Sequence, residues 1–119
     1  MARYIDGFLL PVPRRQLEAY RKLSVKAGKI WREHGALEYR ECIGDDLDTK
    51  MGVPFTKPAR AKRGEAVVFS WIVYKSKAHR DRVNAKVMKD PRLKMEGMPM
   101  PFDVKRMAYG GFEVFVDLA

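Results

Sequence analysis

A chain of 119 residues is long enough to bury one hydrophobic core and too short for two, so a single domain spanning 1–119 is expected. Its 46% hydrophobic and 11% aromatic content excludes a disordered tail, and no run approaches the ~20 apolar residues of a membrane-spanning helix. Lys and Arg outnumber Asp and Glu by 24 to 15, an excess that suits either a polyanion partner or a solvated surface.

Tyr4 to Val12 alternates, is rich in β-formers and runs into Pro11 and Pro13, which predicts a first strand. From Arg14 to His34, Leu17, Tyr20, Ser24, Ala27 and Trp31 recur at three and four. They form the apolar stripe of a helix, and Gly35 stands where a left-handed C-cap residue belongs. Arg15, Lys22, Lys26 and Lys29 fall on the opposite, basic face. Ala36 to Ile43 alternates again, as a second strand. Gly44 to Glu65 has no sustained period and predicts a long loop with room for a short helical turn.

Ala66 to Tyr74, reading AVVFSWIVY, is nearly continuous in β-branched and aromatic residues and predicts a strand buried on both faces. Ser76 then offers an N-cap to a second helix that carries His79, Val83 and Val87 inward and stops near Asp90, before Pro91. Pro91 to Val104, with Met95, Met98 and Met100, predicts a turn of helix and an irregular crossing. Lys105 to Leu118 predicts a fourth strand, where Gly110 and Gly111 suggest a bulge or a close backbone approach.

The order is therefore βαββαβ, an α+β sandwich in which a four-stranded antiparallel sheet carries two helices on one face. Strand parity argues that the other face is also apolar. One set, Ile5 and Leu9, Val68 and Ile72, Phe112, Val114 and Val116, suits a face beneath helices. The other, Tyr4, Asp6 and Phe8, Phe69, Trp71 and Val73, Met107 and Tyr109, would lie bare. A homodimer through that sheet face would bury it and enclose a lumen of aromatic and polar groups.

The helix ending in REHGALEY and the later FSWIVYKSKAHRDRVNAKVMKDPR resemble the dimeric α+β barrel superfamily, which pairs two ferredoxin-like subunits through their sheets. More narrowly, IDGFLLPVP, AYRKLSVKAGKIWREHGALEYREC and KRMAYGGFEVFVD are similar to the YbaA-like family of small bacterial proteins of unknown function, over nearly the whole chain. The narrow family implies no activity. The wider group implies small-molecule binding or cofactor-independent monooxygenation of quinols and polyketides. A haem-degrading site, described with an asparagine on the first strand, is disfavoured because Asp6 stands on this one.

Within the expected lumen, Asp6, Tyr39, Glu41, Trp71 and Tyr109 combine carboxylates with aromatics, a set that either orients an aromatic ligand or forms plain dimer core. For the first reading Asp6 is the polar or basic group, Trp71 the stacking wall and Tyr109 a hydrogen-bonding wall. Tyr39, Glu41, Phe69 and His79 are the further ligand-binding candidates. The expected function is binding of a small aromatic or quinone-like molecule, with cofactor-free oxygenase chemistry as its enzymatic form.

No cofactor or metal is called for. His34, His79 and Cys42 have no diagnostic spacing, and Asp45, Asp46 and Asp48 lack that of a calcium loop. Cys42, the single cysteine, is expected to be a small buried or half-buried strand residue. With the absence of a signal-peptide pattern it suggests a cytoplasmic protein. The basic strings Lys57 to Arg63 and Lys75 to Arg82 leave a nucleic-acid-associated protein as one alternative, disfavoured because neither interleaves aromatics. A non-catalytic structural or interaction protein is the other.

Overall fold

The computed structural model describes residues 2–93 and 99–118. Its elements are β1 (Tyr4–Pro13), α1 (Leu17–Glu33), β2 (Glu38–Ile43), β3 (Glu65–Tyr74), α2 (Lys77–Lys89) and β4 (Ala108–Glu113), with short 3-10 turns at Arg14–Gln16, Pro91–Leu93 and Val104–Arg106. The strands form one antiparallel sheet in the order β2-β3-β1-β4. The α+β order expected from periodicity is therefore present, and no helix among the described residues is long and apolar enough to cross a membrane.

Local chemistry accounts for the boundaries. β1 pairs with β4 only from Tyr4 to Leu9, so the missing N–H groups of Pro11 and Pro13 fall where β1 has β3 alone beside it. Gly35 ends α1 with a φ of 117°, which a side chain would resist. The Ser76 hydroxyl accepts the His79 backbone N–H at 3.1 Å and caps α2, and Pro91 follows the helix by two residues. Within the loop, the Ala59 N–H donates to the Phe55 carbonyl, the short helical turn expected there, and Ala59 is fully buried.

β4 is shorter than expected. It begins after the Val104–Arg106 turn, whose N-cap Asp103 accepts the Lys105 N–H, and it stops at Glu113. Gly110 and Gly111 make no bulge, because pairing with β1 is regular through both. Gly111 instead allows the Tyr4 ring to approach, and a Cβ there would lie 2.3 Å from the Tyr4 hydroxyl. Of the methionines expected in the irregular crossing, Met95 and Met98 lie outside the described residues.

Both helices lie on one face of the sheet. Ile30 of α1 and Val83 and Val87 of α2 share a core with Ile72 and Tyr74, and Tyr20 packs with Leu10, Val12 and Val68. Cross-strand register then fixes the parity. Tyr4, Asp6, Phe8, Leu10 and Val12 of β1 stand on the helix side with Val68, Ser70 and Ile72 of β3, Tyr39 and Glu41 of β2, and Tyr109 of β4. Ile5 and Leu9, Phe69, Trp71 and Val73, Phe112 and Cys42 stand on the other side.

The expected split is thus corrected. The phases of β1 and β4 are exchanged relative to β3, and Phe8 lies in the core instead of on the bare face. The bare face keeps an apolar character: Phe69 is 45% exposed and Phe112 62%, with Ile5, Leu9 and Trp71 half-buried, and the loop lays Phe55 against Phe69 at 6.0 Å between ring centroids. The molecule is a slab only 21 Å thick, about one sheet and one helix layer. Cys42 is exposed on this face, contrary to the buried or half-buried position expected, because β2 is an edge strand.

Candidate functional site

Glu41 is the polar centre of the cleft between α1 and the sheet. Its alternation along β2 turns it toward the helices with Tyr39, two residues earlier. α1 brings Tyr20 and Ser24 to the same place, since positions four apart share a helix face. The Tyr20 hydroxyl donates to Oε1 of Glu41 at 2.7 Å and the Tyr39 hydroxyl donates to Oε2 at 2.9 Å. Gly28 makes the approach feasible, because a Cβ there would fall 2.6 Å from the Tyr39 ring.

Burial, and then the negative charge of Glu41, push both phenols well above the ordinary tyrosine range. They are hydrogen-bond donors at every working pH and do not serve as bases. The carboxylate they hold makes no ion pair among the described residues.

Two spaces border this carboxylate. An inner cleft of about 350 Å³ lies between α1 and the sheet, with Phe8, Trp31, Met88 and Phe102 on its walls. An outer groove of about 840 Å³ runs along α1 and β2. Tyr20, Ser24, Tyr39, Arg40 and Glu41 line both, so the Tyr20–Glu41–Tyr39 set forms the partition between them. The rings pack in pairs: Tyr20 meets Phe102 edge to face at 5.6 Å, and Trp31 meets Tyr39 at 6.3 Å.

A second polar group sits beneath α2. Asp6, 1% exposed, accepts Nη1 of Arg80 at 2.6 Å, and the same guanidinium lies 4.8 Å from the Tyr4 ring centroid and 3.4 Å from the Tyr109 hydroxyl. Nε of Arg80 binds Asp81. The hydroxyl of Tyr74 and the indole N–H of Trp31 both donate to Oδ1 of Asn84, which links this group to α1. Among the described residues no fully buried side-chain polar atom lacks a partner, and Asp6 is closed off by its ion pair.

The five residues expected in one lumen therefore divide three ways. Tyr39 and Glu41 meet in the cleft under α1, Asp6 and Tyr109 meet at Arg80, and Trp71 lies on the bare face beside Phe69 at 5.5 Å. His79 belongs to none of these. Its Nδ1 accepts the Lys75 N–H at 3.0 Å, and burial, with Lys75, Arg82 and Lys86 nearby, lowers its pKa.

Sequence reading missed Tyr20 and Arg80 as site residues. Tyr20 and Ser24 were visible only as polar members of an apolar stripe, and Arg80 as one charge in a basic string. That string is also less free than it reads, since Arg80 is tied to Asp6 and Asp81.

Fold and cleft define a small α+β protein with a four-stranded antiparallel sheet, two helices and a carboxylate-bearing aromatic cleft. Residues 3–104 match the family described as "Protein of unknown function (DUF1428)", and the chain belongs to that family. It is 46% identical over 115 residues to "Uncharacterized protein YbaA" of Escherichia coli strain K12 and, equally, to that of Shigella flexneri, covering 97% of this chain and 98% of each relative. Among solved structures it is similar to "De novo designed protein Foldit4", at 11% identity and a TM-score of 0.44 over 97% of this chain and 99% of that one, a likeness too weak to bear on the fold.

Proposed function

We propose that the protein is a homodimeric α+β barrel of ferredoxin-like topology whose chains meet through the bare sheet face, and that each chain binds a small aromatic molecule in the cleft beneath α1. The observation that carries the binding reading is the Glu41 carboxylate, held by two phenols on the wall of an aromatic cleft. Each carboxylate oxygen has spent one lone pair on a tyrosine and keeps another for a ligand donor. The site thus favours a ligand with an O–H or N–H group over a quinone, which offers only acceptors. Half-buried Ile5, Leu9 and Trp71 with exposed Phe69 and Phe112 support the dimer, since a monomer rarely keeps a contiguous apolar patch without a use for it.

The site lies on the helix side, outside the proposed dimer interface, so ligand binding and dimerisation separate experimentally. Light scattering on the eluting protein should give twice the chain mass, and Phe69→Glu with Phe112→Glu should give the monomer; a monomeric wild type ends the dimer reading. For the cleft, a thermal-shift panel of phenols and hydroquinones should stabilise the wild type and not Glu41→Gln. A panel that stabilises neither ends the binding reading. Glu41 is also the group placed to take a proton from a bound hydroquinone in a cofactor-free oxygenation. Oxygen uptake with hydroquinone that Glu41→Gln abolishes supports that chemistry, and no uptake by the wild type removes it.

A further inference from the structure

The acidic side chains that this protein buries or half-buries are, with one exception among the described residues, matched by arginine. Asp6 meets Arg80 at 2.6 Å, Glu65 meets Arg106 at 2.6 Å, Asp90 meets Arg92 at 2.7 Å and Glu38 meets Arg40 at 3.1 Å. Glu41 is the exception, held by hydroxyls alone although the chain carries 24 Lys and Arg. Among the described residues, three cations of the outer groove are engaged elsewhere, Arg21 with Glu18, Arg40 with Glu38 and Arg32 with the carbonyls of Ala36 and Leu37, and the fourth, Lys29, makes no ion pair with Glu41. An unneutralised carboxylate in a half-buried, aromatic setting is the arrangement that a positive ligand completes.

The rings complement the same charge. Phe8, Tyr20, Trp31, Tyr39 and Phe102 all border the inner cleft, and the face of an aromatic ring carries negative potential that attracts an ammonium or a methylated ammonium. The other acid on the cleft wall, Asp90, is already paired with Arg92 and His34, so the uncompensated negative charge is that of Glu41. An anionic ligand would meet Glu41 directly. A neutral one would leave its charge uncompensated. About 350 Å³ lies near the lower end of ligand-pocket volumes, enough for a compact body.

We propose that the cleft is selective for an organic cation, a protonated or methylated amine carried on a small apolar or aromatic body, with Glu41 as its counter-charge and the surrounding rings as its cage. This rests on the reading of the cleft as a binding site and specifies the class of ligand it takes. Tyr20 and Tyr39 act as positioning residues: their donated hydrogen bonds fix both oxygens of Glu41 and hold the carboxylate in place against the bound cation.

The test is calorimetric titration of the full-length protein with four matched probes: 2-phenylethylammonium, its N-trimethyl analogue, 2-phenylethanol and 3-phenylpropionate. The two cations should bind at least about tenfold more tightly than the alcohol, a factor that corresponds to ~1.4 kcal/mol, and the carboxylate should bind most weakly. Glu41→Gln should cost the cations about tenfold or more and the alcohol clearly less, since the alcohol loses a hydrogen bond and no counter-charge, with an unaltered circular dichroism spectrum as the control for folding. Alcohol binding equal to that of the cations, or cation binding untouched in Glu41→Gln, overturns cation selectivity and leaves the cleft standing as a site. Failure of all four probes to bind overturns the cleft reading, and this proposal with it.

Discussion

Two carboxylates stand on the helix side of the same sheet and are treated in opposite ways. Asp6, on β1 beneath α2, is 1% exposed and locked to an arginine that also binds Asp81 and lies over Tyr4. Glu41, on β2 beneath α1, is half-buried, accepts two phenolic hydrogen bonds and borders open space on both sides. The first arrangement is complete within the chain, so its work is to hold α2 on the sheet. The second has lone pairs and charge left over, and a carboxylate in that condition is available to something that arrives from outside.

Breaking the Asp6 pair should have the largest effect. Arg80→Met leaves a charge buried without a partner and should lower unfolding stability by about 3–5 kcal/mol, measured by urea denaturation. Adding Asp6→Asn should restore much of that loss, since it removes the charge that was stranded. If Arg80→Met costs less than Tyr39→Phe, the contrast between the two carboxylates is wrong.

Gly28→Ala comes next and carries an unusual sign. In a free helix the change stabilises by about 1 kcal/mol. Here the new methyl meets the Tyr39 ring, and overpacking should outweigh the helix gain for a net loss of about 1–2 kcal/mol, together with weaker ligand binding. Tyr20→Phe or Tyr39→Phe should each cost about 1 kcal/mol in the same assay, because each removes one hydrogen bond to a charged, partly solvated acceptor. Glu41→Gln should change stability least of the cleft variants, since no resident cation loses its partner, and should register in binding.

A third carboxylate sharpens the comparison through pH. Paired hydrogen bonds from Arg106 hold Glu65 down to about 2 from an ordinary 4.5, against the opposing effect of its burial. A depressed folded-state pKa means that the contribution is fully present above 4.5 and disappears as pH falls through about 2. Thermal melts between those values should therefore fall more steeply for the wild type than for Glu65→Gln. Equal slopes would show that the pair contributes nothing measurable.

Much of this architecture was legible in the chain because it is local. The 3.6-residue stripe through Tyr20 and Ser24, the alternation of β1 and β3, the Ser76 cap and the stop at Gly35 each depend on neighbours within a turn or a few residues. The candidate site was legible only in part. Tyr39 and Glu41 share a face because they are two apart on one strand, whereas their meeting with Tyr20 spans 21 residues and depends on how α1 crosses β2 at Gly28.

Sequence alone determined the elements, their order and the two sets of side chains within each strand, since period and capping are properties of contiguous residues. It did not determine the phase between strands. β1 is apolar on both faces, so nothing local distinguishes the side bearing Asp6 and Phe8 from the side bearing Ile5 and Leu9; the pairing of Asp6 with Ile72 and Gly111 decides it, across more than sixty residues of chain. Tertiary structure alone therefore placed Asp6 under α2, left Trp71 on the bare face and gave Glu41 its two phenols. Charge balance is settled by which groups meet in space, and composition records only how many of each there are.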